Sequence, residues 1–170
     1  MGPSNNFLAT NMSRFLFRGV NVELHRLNGG KLIPKAQGKP FKSHAYWGDA
    51  EWNDGSVWGE SERNTVIQHQ RDSSKHKTSG VSATPSFENA CQYATHNGKY
   101  STGVVYKIDS SLLEKYEVTS YEVEEHATQP AIPGDKEVIL VAKDFGALPT
   151  EIVVEVSEVS LPNKLSKPTQ

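Results

Sequence analysis

The chain has 170 residues, 36% apolar and 22% charged, with a net charge of −2, which suits a single soluble domain with a sizeable core. That balance excludes a general nucleic-acid-binding surface, which would be basic, and leaves room only for a local basic groove. No run of about 18 apolar residues occurs, so no membrane span is expected, and the single cysteine, Cys91, excludes an internal disulfide or a multi-cysteine zinc site.

Residues 1–13 are polar and read as a flexible start without the charged and apolar blocks of a signal peptide. "FLFRGVNVEL", residues 15–24, reads as the first strand. Arg18 interrupts its apolar run, and Gly19, a poor strand former, follows directly. Residues 28–60 are rich in Gly, Pro, Lys and Trp and read as loops with short helical turns. Trp47, Trp52 and Trp58 read there as buried anchors, with an exposed aromatic and acidic surface for a protein target as the alternative. "DAEWNDGSVWGE" has a partial calcium-loop spacing, but its glycine stands at the wrong position and no long helices flank it.

"SERNTVIQHQRD" predicts a short helix capped by Ser61. "GVSATP" predicts a brief strand that stops at Pro85, and "SFENACQYATHNGK" a helix capped by Ser86 and ended by Asn97-Gly98. Phe87, Ala90, Cys91 and Ala94 form its apolar stripe, which makes Cys91 a core residue rather than a nucleophile. "TGVVYKID" (102–109) and "YEVTSYEVE" (116–124) read as strands, "EHATQPAIPGD" as a loop, and "KEVILVA" (136–142) as a strand buried on both faces. "TEIVVEVSEV" closes the sheet, and residues 161–170 form a polar tail. One strand, a mainly helical region and then mostly strands make an α+β domain over 14–160. The six histidines show no metal-ligand spacing.

Taken singly, Arg18 is a solvent-facing strand arginine, Ser82 and Thr84 are turn and capping residues, and Glu137 is a solvated charge. Taken together and in order, "FLFRGV", "SGVSATPSFENACQYA" and "GDKEVIL" resemble the Arg–Ser–Glu class of ADP-ribosyltransferases, the cholera-toxin-like branch that also holds pierisin-like and insecticidal-toxin effector domains. The resemblance spans about residues 14–156. It implies two small, roughly perpendicular, mainly antiparallel sheets that form an NAD cleft, with helices after the first strand and after the serine strand.

The resemblance also implies roles. Arg18 would bind a phosphate or ribose oxygen of NAD through its planar fork of donors. Gly19 would let the backbone approach the nicotinamide, Ser82 would hold the ribose and orient the glutamate, and Thr84 would brace the strand at the cofactor site. Glu137 would be the catalytic carboxylate, bonded to the ribose 2′-OH as a ribosyl cation develops. Two positions depart from the family pattern. Ala83 replaces a central polar residue, and Asp135 stands where the family has Glu or Gln. Asp135, Tyr121 and His126 are candidates for acceptor recognition, and His69 or His76 for a place near NAD.

The activity so implied is a mono-ADP-ribosyltransferase that cleaves the nicotinamide–ribose bond of NAD without a metal. It would act on a macromolecular acceptor, protein in preference to nucleic acid, as a monomeric secreted or injected effector domain in a target-cell cytoplasm. The alternatives are an NAD glycohydrolase, with water as acceptor, and an inactive binding module that keeps the fold.

Overall fold

The computed structural model describes residues 12–41, 43–45, 59–61, 65, 78–123 and 136–160. Strand β1 (Phe15–Val20) runs antiparallel to the central strand of a three-stranded sheet, Thr102–Asp109, whose other edge is Val153–Ser160. In a second antiparallel sheet, Val138–Val141 lies between Val81–Ala83 and Thr119–Glu122. A short pair, Ser43–Ala45 with Gly59–Ser61, stands apart. Numbered in chain order, these strands are β2 (Ser43–Ala45), β3 (Gly59–Ser61), β4 (Val81–Ala83), β5 (Thr102–Asp109), β6 (Thr119–Glu122), β7 (Val138–Val141) and β8 (Val153–Ser160). The α+β architecture of two small antiparallel sheets and few helices is the one the sequence implies. No helix among the described residues is long and apolar enough to cross a membrane.

The first strand is shorter than its apolar pattern suggests. It ends at Val20, and helix α1 (Val22–Leu27) begins where residues up to 24 were expected to remain extended. Asn21 explains the switch: its side-chain oxygen accepts the Leu24 N–H at 2.7 Å and so satisfies a free donor of the first turn. Helix α2 (Phe87–Ala94) starts in the same way, with the Ser86 hydroxyl accepting the Asn89 N–H at 3.1 Å. It stops where His96 and Asn97 turn left-handed, at φ 53° and 57°, ahead of Gly98. Of the helix expected from Ser61, Ser61 itself ends β3 and Thr65 is helical and buried; the rest lies outside the described residues.

The stripe Ala90, Cys91 and Ala94 packs with Val105 on the β1–β5 face. The approach is close enough that two strand positions under the helix must be glycine. A Cβ on Gly19 would lie 1.9 Å from the Ala90 carbonyl oxygen, and one on Gly103 would lie 2.5 Å from the Ala94 Cβ. The opposite face of the first sheet gives Leu16, Val20, Tyr106 and Ile108 to the main core, where they meet Val81, Ala83, Val138 and Leu140 of the second sheet. The far face of that second sheet packs Tyr121, Ile139 and Val141 with Phe41 and Val123. Strand β7 is therefore buried on both sides.

Candidate active site

One short bridge joins the two sheets. The Phe17 N–H donates to the Thr84 carbonyl at 2.7 Å, and the Thr84 N–H donates to the Phe17 carbonyl at 2.9 Å. If this antiparallel pairing continued, the next bonded pair would be Gly19 with Ser82. Among the described residues no backbone bond joins them; the strands separate instead. Arg18 enters the gap, and its Nη1 donates to the Ser82 carbonyl at 3.3 Å. The guanidinium thus takes the acceptor that a continued ladder would have given to the Gly19 N–H.

Alternation along β1 explains the geometry. Phe17 turns its polar backbone groups toward β4, so Gly19 turns its own N–H and C=O toward the same edge, where the sheets have parted. Arg18 projects on the face of Leu16 and Val20, toward the interior and not to bulk solvent.

Glu137 reaches the gap from the other sheet. It directly precedes β7, and its carbonyl accepts the Val123 N–H at 3.0 Å. Lys136 just before it has a left-handed φ of 55°, a conformation costly for a residue with a Cβ and one that recurs beside functional sites. The Ser82 hydroxyl donates to Glu137 Oε2 at 2.7 Å. Residues 18, 82 and 137, remote in the chain, are thereby brought together.

Beside them lies a cleft of about 150 Å³ whose lining includes Arg18, Lys35, Thr78 and Ser82. Arg18 Nε is buried with no hydrogen-bond partner. Burial pulls the guanidinium below its ordinary pKa, against the opposing influence of Glu137 and then of Tyr106 and Tyr93. An arginine starts high enough to remain a cation, so the site holds a partly unsatisfied positive charge next to a carboxylate.

Other expected residues fall differently. The missing Cβ of Gly19 faces the α2 backbone, so close helix packing by itself demands glycine here. Thr84 is buried, and its hydroxyl oxygen accepts the Ser86 N–H at 3.1 Å, which braces the entry to α2. Ala83 points into the main core, away from Ser82. Tyr121, a candidate for acceptor recognition, is buried in β6 with its ring centroid 4.8 Å from that of Phe41. Asp135 and His126, together with His69, His76 and the three tryptophans, lie outside the described residues.

Two site neighbours escaped the sequence reading. Tyr106 stands directly across the ladder from Arg18, and its hydroxyl is hydrogen-bonded to His25 Nδ1. Only the β1–β5 register reveals the first relation, and only the early start of α1 reveals the second.

The NarE family model matches residues 15–140, from the first residue of β1 into β7, a span that includes Arg18, Ser82 and Glu137. No curated protein matches the chain.

Proposed function

Because the chain belongs to the NarE family of ADP-ribosyltransferase-like proteins, we propose that it binds NAD where β1 and β4 separate, breaks the nicotinamide–ribose bond and passes ADP-ribose to a macromolecular acceptor. The observation that carries this reading is the bond from Ser82 to Glu137 beside the half-buried Arg18, whose Nε is buried without a partner. A buried cationic donor without a partner fits an anionic dinucleotide, since leaving it unpaired is costly unless a ligand supplies the acceptor.

The roles follow from the chemistry. Arg18 binds a phosphate or ribose oxygen through its planar fork. Gly19 turns its N–H and C=O to the open edge, a donor and acceptor pair matched to a carboxamide. Glu137, held by Ser82, accepts a hydrogen bond from the ribose 2′-OH. As the C1′–N bond breaks, its electron pair leaves with nicotinamide, and positive charge grows on the ribosyl ring. A fixed carboxylate stabilises that charge most in the transition state. The acceptor nucleophile then bonds to C1′ and loses its proton, with Asp135 the candidate to take it or to orient the acceptor.

We take the acceptor to be a protein and the setting to be that of a toxin or effector domain. Incubating the protein and NAD labelled in its adenylate half with a cell lysate tests this. Label on a protein band, absent with Glu137→Ala, is the expected result. Free ADP-ribose with no labelled macromolecule would make the protein an NAD glycohydrolase, and no NAD consumption at all would make it a binding module.

A further inference from the structure

The proposed role of Arg18 leaves open what holds its guanidinium before NAD arrives, and this inference rests on that role. The guanidinium's hydrogen bond to the Ser82 carbonyl is long, at 3.3 Å, and Nε has no partner. A side chain with several free torsions, held so weakly, would lose conformational freedom on binding unless something else fixed it.

The other side of the gap supplies a wall. Arg18 and Tyr106 are directly paired across β1 and β5, so their side chains share one face of the sheet. Tyr106 is only 1% exposed, and its hydroxyl meets His25 Nδ1 on α1, the two rings lying 5.6 Å apart. Arg18, Tyr106 and His25 line the same cavity of about 20 Å³, far too small for a dinucleotide. His25 is not part of the lining of the larger cleft at Ser82, so the effect considered for it passes through the phenol.

The polarity of that hydrogen bond follows from the nearby cation. A guanidinium attracts the oxygen lone pairs of a phenol and repels its proton. That polarity has the Tyr106 hydroxyl donate to His25 Nδ1, with the imidazole N–H at Nε2. The donated proton polarises the phenol oxygen and fixes its ring on the face it shares with Arg18.

We infer that His25 is a positioning residue: by accepting the Tyr106 hydroxyl at Nδ1 it locks the phenol that presets Arg18 for its anionic ligand. An asparagine carries an acceptor oxygen close to where a histidine carries Nδ1, whereas alanine has none.

The test is nicotinamide release from NAD by the whole chain, with kcat and KM determined separately and thermal unfolding followed in parallel. His25→Ala and Tyr106→Phe are each expected to raise KM about three- to tenfold, the scale of one hydrogen bond, with kcat nearly unchanged. The double variant should be no worse than either single one, because both remove the same bond. His25→Asn should restore the wild-type KM, which a mere packing role of the imidazole would not allow. Nitrogen NMR of the wild-type imidazole should show Nδ1 unprotonated.

Single variants with wild-type KM, or a His25→Asn protein as impaired as His25→Ala, would overturn the inference. Arg18→Ala separates the two levels. If it raises KM while His25→Ala and Tyr106→Phe do not, the inference alone fails; if it leaves KM and kcat unaltered, the role given to Arg18 fails first.

Discussion

The Ser82 hydroxyl donates to Glu137 Oε2 at 2.7 Å, from a strand in the middle of the chain to the residue that leads into β7. Antiparallel pairing of β4 with β7 sets Ser82 opposite Ile139, and Glu137, two residues from Ile139, shares its face, so the hydroxyl and the carboxylate are diagonal neighbours. A carboxylate fixed in this way needs little reorganisation as charge develops on a substrate.

Ser82→Ala should therefore act on turnover more than on folding. Hydrogen bonds to charged groups contribute about 1.5–3 kcal/mol, so kcat is expected to fall by about ten- to a hundredfold. Steady-state nicotinamide release checks this, with thermal unfolding as the control. An unchanged kcat would mean that Ser82 does not hold Glu137 for the reaction.

Gly19→Ala should act on stability. The new Cβ would stand 1.9 Å from the Ala90 carbonyl oxygen and 2.8 Å from the Ala94 nitrogen, both backbone atoms of α2 that cannot swing aside. Displacing the helix should cost about 3 kcal/mol or more, read by denaturant unfolding. Loss of NAD affinity with stability intact would show that the glycine serves the ligand and not the helix.

Much of this was readable in the chain itself, for local reasons. Ser86 as a cap and the stripe of Phe87, Ala90, Cys91 and Ala94 predicted α2, because capping and helical periodicity act over a few residues, although Phe87 stays exposed at its first position. The resemblance carried by the motifs around Arg18, Ser82 and Glu137 implied a shared site, and the structure brings the three together. What stayed hidden depends on pairing between distant strands. Nothing near Gly19 announces the carbonyl of Ala90, and nothing near Arg18 announces Tyr106. Asn21 was a different kind of miss: the apolar pattern ran on past it, and one side-chain cap turned the chain into a helix.

A further prediction concerns acid. Asp109 at the end of β5 accepts two bonds from Arg14, at 3.0 and 3.1 Å, and others from Ser111, clamping the start of β1 to its partner strand. The Arg14 hydrogen bonds and then the Ser111 hydroxyl bring the Asp109 carboxyl down from 3.8 to about 2. A carboxyl lowered on folding stabilises the protein above its unfolded value, and that contribution is lost as pH falls toward the folded one. Urea unfolding should therefore show wild-type stability declining between pH 3.8 and about 2 more steeply than that of Asp109→Asn. Parallel curves for the two proteins would show that the clamp has no such linkage.

The central claim is that Glu137, set by Ser82 beside Arg18, drives cleavage of the nicotinamide–ribose bond. The most direct measurement is nicotinamide release from NAD by the wild type, Glu137→Ala and Glu137→Asp, with unfolding temperatures taken on the same samples. Aspartate is one methylene shorter and is expected to fall short of the ribose. Both variants should keep the fold and lose about a hundred- to a thousandfold in rate. Near-wild-type release by either one would contradict the account.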